Sequence, residues 1–119
     1  MTEQRPRLAV ETKPTHTHVS LLDAEILHEL QIRQIEQELT AVLTAGSPIR
    51  LLLDFSAVGR LSSMALGMLT VIHKRVMERG GQLRLCRIHP QIYQVFELSK
   101  LNRVLHIYDT ADQAIAAFE

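Results

Sequence analysis

Ser62 and Ser63 are the residues of this chain best placed to do chemistry. They lie between the apolar run Ile49-Arg50-Leu51-Leu52-Leu53-Asp54-Phe55 and a stretch with an apolar stripe at helical spacing, Ala65, Met68, Leu69, Ile72 and Val76. A serine just ahead of an apolar helix accepts a hydrogen bond from an orphan backbone N–H and so caps the helix. The same place suits a phosphoryl group, because a helix N-terminus carries partial positive charge. Both readings, cap and phosphorylation site, follow from the pattern. A phosphate on Ser63 or Ser62 would change what the adjoining surface binds without any catalysis by the chain itself.

The other reactive side chains form no comparable arrangement. His16 and His18 share one face of a predicted strand and could in principle share a metal. The plainer reading is two exposed strand residues, since no acidic or thiol ligand is placed beside them. His89, before Pro90, reads as a cap or loop residue, and Cys86 as a small core hydrophobe. A lone cysteine forms no internal disulfide, and no CxxC or Cys/His cluster suggests zinc. Glu36 and Glu38 read as a solvated helix face. Met64, Met68 and Met77 fall at helical spacing and belong to a core by default, although Met64 equally suits an exposed contact at the helix start. There is no GxxxxGK[ST], GxGxxG, HExxH or GxSxG motif and no convergent acid, base and nucleophile set. The chain is therefore not read as an enzyme, and no cofactor is called for.

The elements that must hold the serine turn are legible in outline. Residues 1–7 read as a flexible arm, and 8–119 as one domain. Leu8–Thr12 and His16–Leu22 read as strands paired in a hairpin, the second ended by Asp23. Ile32, Ile35, Leu39, Val42 and Leu43 mark a helix that Gly46, Ser47 and Pro48 stop. Ile49–Phe55 reads as a central strand covered on both faces, and Ser56–Gly59 as a loop. The helix after Ser63 ends at Gly80-Gly81, and Gln82–Cys86 follows as a strand. Pro90 opens a third helix with Ile92, Val95, Phe96 and Leu98 facing inward. Leu105–Tyr108 is a last strand, and Thr110 with Gln113 has capping-box spacing ahead of a final helix that buries Ala114, Ile115 and Phe118. The alternation predicts an α/β domain with a mixed sheet, an N-terminal hairpin plus parallel βαβ strands, and about four helices.

Composition narrows the function classes. At 119 residues and 46% hydrophobic, the chain suits one packed core. Thirteen basic residues balance thirteen acidic ones, and only 4% of residues are aromatic, so neither phosphate neutralisation nor base stacking is favoured. The N-terminus is polar and lacks a signal-peptide run, and the longest apolar stretch, Met64–Ile72, is too short to span a bilayer. The expectation is a cytoplasmic protein that binds neither nucleic acid nor membrane.

Two segments, Leu51-Leu52-Leu53-Asp54-Phe55-Ser56-Ala57-Val58 and Leu61-Ser62-Ser63-Met64-Ala65-Leu66-Gly67, resemble the central signature of STAS domains, the family of sulfate transporters and anti-sigma-factor antagonists. The resemblance continues through Arg79–Leu85, Val95–Leu101 and Ile107–Thr110. It implies an anti-sigma-factor antagonist, a regulator of transcription that sequesters an anti-sigma factor, often a serine kinase of the GHKL type. It also implies a partner-facing set of Asp23, Ser56, Ser62, Ser63, Met64 and Ala65. Two further roles stay open: a scaffold subunit among other STAS proteins, as in a stressosome-like assembly, and a small-ligand sensor. In the family the kinase phosphorylates the second serine of an Asp-Ser-Ser-Gly motif. Anchored on Asp54-Phe55-Ser56 and Leu66-Gly67, this chain has Ser62 at the family's aspartate and Ser63 at its first serine. Met64 then falls at the phosphorylated serine and Ala65 at the glycine. Either the phosphosite has shifted to Ser63 or Ser62, or ordinary switching is lost. The second is favoured, because a one-residue shift turns a helical side chain by about 100°.

Overall fold

The computed structural model describes residues 5–46 and 48–119. Residues 1–4 of the arm expected at 1–7, and Ser47 of the expected helix stop, lie outside the described residues. Strands β1 (Leu8–Thr12) and β2 (Thr17–Leu21) form the antiparallel hairpin, with Val10 opposite Val19. After β3 (Glu25–Ile26) comes helix α1 (Glu29–Thr44). Then follow β4 (Arg50–Asp54), β5 (Arg60–Leu61) and α2 (Ser63–Glu78). The chain ends with β6 (Gln82–Cys86), α3 (Pro90–Leu98), a 3₁₀ turn at Leu101–Arg103, β7 (His106–Tyr108) and α4 (Ala111–Ala116). The main sheet has the order β1-β2-β4-β6-β7, with β2, β4, β6 and β7 mutually parallel. This is the mixed α/β architecture expected from the alternation of patterns.

The alternation of side chains along β4 divides the interior. Leu51 and Leu53 join Val19, Leu21, Leu83 and Leu85 in the larger cluster, closed by α1, α2 and α3 through residues such as Ile35, Ile72 and Phe96. Leu52 and Cys86 point the other way, under Ala111 and Ala114 of α4. Each fully buried Leu or Ile contributes about 1.5–3 kcal/mol to this sandwich. Phe55 meets Phe96 edge-on, with ring centres 6.2 Å apart.

The helix ends are set by local chemistry. At the end of α2, Gly80 takes φ +70 and its amide bonds Met77 O, while Gly81 N reaches Val76 O. This is a Schellman stop that only a residue free of Cβ strain makes cheaply. At α4, Thr110 Oγ1 accepts the Gln113 amide and Gln113 Oε1 accepts the Thr110 amide, so the capping box is realised.

Several expectations are corrected. The structure adds a short parallel pair, β3–β5, that the sequence pattern does not show. Leu98 is 85% exposed rather than inward, because α3 ends there and the chain turns out through Lys100 at φ 62. Met77 also faces solvent. Glu36 and Glu38 are half-buried rather than solvated. Glu36 faces Arg75 at 3.5 Å, and Glu38 accepts the Arg7 amide at 2.9 Å.

Candidate functional site

The C-terminal ends of the parallel strands gather three loops at one pole of the molecule, where ligands and partners of open α/β sheets commonly bind. These are Leu22–Ala24 after β2, Phe55–Gly59 after β4 and Arg87–His89 after β6. Backbone bonds tie them together. Ala24 O accepts the amides of Gly59 at 2.7 Å and Arg60 at 3.1 Å, and Ser62 N donates to Ile26 O at 3.0 Å. The His89 ring donates from Nε2 to Ser56 O at 2.9 Å, so His89 is the N-cap residue of α3 and also a strut for the β4 loop. Because β3 and β5 pair in register and each runs into a helix, the N-termini of α1 and α2 emerge side by side.

The serine turn sits on that frame. Ser62 is the N-cap of α2, and its Oγ accepts the Ala65 amide at 3.2 Å. Ser63, the first helical residue, is exposed. Met64 is 52% exposed, which settles its orientation toward solvent, whereas Ala65 is fully buried. Ser56 is exposed on the adjacent loop. Asp23 is half-buried and already engaged. Its carboxylate accepts from Arg7 at 3.0 Å and from Gln31 at 2.9 Å. Of the expected set, Ser56, Ser63 and Met64 are exposed on the β4 loop and the first turn of α2, Ser62 and Asp23 are half-buried and hydrogen-bonded within the chain, and Ala65 is buried.

Under the β4 loop lies a polar node that sequence reasoning missed. Asp54 is almost wholly buried at the end of β4. Its Oδ1 accepts the Ser56 amide at 2.9 Å, and its Oδ2 lies 3.0 Å from both His18 Nε2 and Arg87 Nη1. Burial alone would push the Asp54 carboxyl up. The bonds from Ser56 and His18 and the Arg87 charge outweigh it, and the group is held below the ordinary carboxylate range. The one visible signal was a carboxylate closing an otherwise apolar strand. His16 and His18 are accordingly not two exposed residues: His18 has an acidic neighbour, and His16 is buried and stacked on Phe118 with ring centres 5.9 Å apart. Burial, followed by the neighbouring His18 and Lys13, lowers the His16 pKa. Among the described residues no group of three or more His, Cys, Asp or Glu could hold a metal ion. Cys86 is buried, and burial pushes its thiol up to about 12, so it is inert core.

The family model of the STAS domain matches residues 9–114. The chain belongs to the STAS family. BtrV of Bordetella bronchiseptica, described as a candidate anti-sigma factor antagonist, is 28% identical over 94 residues, 79% of this chain and 80% of that protein. An anti-sigma factor antagonist from Mycobacterium paratuberculosis superposes with a TM-score of 0.81 at 26% identity, covering 93% of this chain and 92% of the other. The Bacillus protein SpoIIAA in its phosphorylated form shares the fold at 18% identity, with a TM-score of 0.67 over 92% of this chain and 96% of its own. This STAS domain thus stands among anti-sigma-factor-antagonist proteins in sequence and in fold. Among its described residues no helix is long and apolar enough to cross a membrane.

Proposed function

We propose that this STAS domain is an anti-sigma-factor antagonist that binds its anti-sigma factor, a GHKL-type serine kinase, through the pole formed by Ser56, Ser63 and Met64, and that binding is not switched by phosphorylation. One observation carries the reading. Met64, which has no hydroxyl, stands half-exposed in the first turn of α2 at the position where the family resemblance puts the phosphorylated serine. Ser62 is occupied as the N-cap and offers its oxygen to the Ala65 amide. Ser63 is exposed but one residue earlier, about 100° around the helix from the side chain it would replace. A flexible thioether at the rim of three loops suits an apolar contact with a protein partner. The reading carries no catalysis by the chain itself.

The test is a titration of the purified chain with the GHKL-type kinase of its own cell, followed by intact-mass analysis after incubation with ATP. A complex is expected that Met64→Lys weakens at least tenfold, about 1.4 kcal/mol, with no added phosphate on Ser62 or Ser63. Stoichiometric phosphate on either serine, or a Met64→Lys complex of undiminished affinity, overturns the proposal. Light scattering on the chain alone separates this reading from a scaffold role, which requires self-association.

A further inference from the structure

Arg7 makes more structured contacts than a residue of a free arm would. Its amide donates to both carboxylate oxygens of Glu38, at 2.9 and 3.1 Å. Its carbonyl accepts the Leu22 amide at 3.0 Å. Its guanidinium spans Gln34, at 3.3 Å through Nε, and Asp23, where Nη1 lies 3.2 Å from Oδ1 and 3.0 Å from Oδ2. Gln31 closes the other side: its Nε2 donates to Asp23 Oδ2 at 2.9 Å and to Glu25 O at 2.6 Å, while its Oε1 accepts the amides of Leu27 and His28. Both oxygens of Asp23 are therefore engaged within the chain.

We infer that Asp23 is a positioning residue: Arg7 and Gln31 clasp it, and the clasp holds the β3–β5 pair from which the Ser62–Met64 turn is hung. The mechanical path is short. Asp23 is followed by Ala24, whose carbonyl takes the amides of Gly59 and Arg60, and Ile26 O takes the amide of Ser62 itself. The two-residue strands β3 and β5 make too few ladder bonds to be rigid alone. Their stiffness must be borrowed from neighbours, and the clasp is the polar attachment at the entrance to β3. An ion pair only partly withdrawn from water adds little to global stability, yet it restricts a weak local unit more strongly than a strong one. The consequence for the partner surface rests on the partner-binding reading above, whereas the decisive measurement is made on the free chain and succeeds or fails separately.

Amide hydrogen exchange, resolved by residue, tests the clasp in Arg7→Ala, Asp23→Ala and the double variant. The amides of Gly59, Arg60 and Ser62 report the β3–β5 pair. The Phe55 amide, bonded to Cys86 O at 3.0 Å, reports the main sheet. Each single variant is expected to speed exchange at the three reporters about three- to tenfold with Phe55 unchanged. The double variant should be no faster than the faster single one, because both remove the same contact. Arg7→Lys, which keeps the charge but loses the contact to Gln34, should fall between wild type and Arg7→Ala. Unchanged reporters, effects that add in the double variant, or a parallel rise at Phe55 overturn the inference.

Discussion

Ser62 Oγ accepts the Ala65 amide at 3.2 Å, and this bond separates the roles of two adjacent hydroxyls. The cap satisfies one of the four amides that a helix leaves unpaired at its N-terminus. Ser63 sits inside the helix and is exposed. Ser62→Ala should therefore destabilise the domain by about 1 kcal/mol, and Ser63→Ala by less than about 0.5 kcal/mol. Urea unfolding monitored by circular dichroism measures both. Equal losses from the two variants would show that Ser62 does not carry the cap.

The Asp54 node predicts the acid limb of stability. Its folded pKa lies below the ordinary carboxylate value, so its contribution is fully present above about pH 4. That contribution is lost as pH falls through the depressed folded value, where the proton breaks the links to His18 and Arg87. Asp54→Asn keeps the shape but removes the charge, and should cost about 2 kcal/mol at neutral pH. It should also flatten the fall in urea midpoint below about pH 4 relative to wild type. A variant whose acid limb stays parallel to that of wild type would remove Asp54 as its source.

What could and could not be read from the chain follows from distance along it. The buried stripes of α1 and α2 repeat within one helix, so Ile32, Ile35 and Leu39 announce their face locally. Gly80-Gly81 and the Thr110–Gln113 box are likewise short-range chemistry. The strands β3 and β5 have two residues each, too few for an alternation to show. The Asp54 node joins residues 36 and 33 positions away, which only the parallel order β2-β4-β6 brings together. The orientation of Met64 was open because the buried stripe of α2 is complete without it. Leu98 misled because a helical period says nothing about where the helix stops, and α3 stops at that residue.

Cys86 predicts a chemical silence that reports on unfolding. Burial raises its thiol to about 12, and its side chain packs with Leu52, Ala111 and Ala114. Only the thiolate reacts with iodoacetamide. The folded chain at pH 8 should take up no label over hours, and the urea-unfolded chain should take up one equivalent within minutes. Rapid labelling of the native chain would mean that α4 detaches from the sheet under native conditions.

Gly81 offers a test of how tightly the pole opposite the serine turn is built. A Cβ placed on Gly81 would stand 2.6 Å from Ile49 O and 3.1 Å from a Val76 methyl. The first neighbour is backbone entering β4 and cannot move aside without dragging the strand that ends in Asp54. The same carbonyl accepts the Gln82 amide at 2.8 Å, so displacing it also strains the start of β6. Overpacking of this kind costs about 1–3 kcal/mol, and the rigid neighbour places Gly81→Ala at the upper end. Gly80→Ala meets no atom within 4 Å and is opposed only by its φ of +70, a cost of about 1–2 kcal/mol. Thermal unfolding should rank Gly81→Ala below Gly80→Ala, and Gly80→Ala below wild type. The reverse order of the two variants would show that the strand can shift, and that the left-handed turn at Gly80 is a stricter demand than the close approach at Gly81.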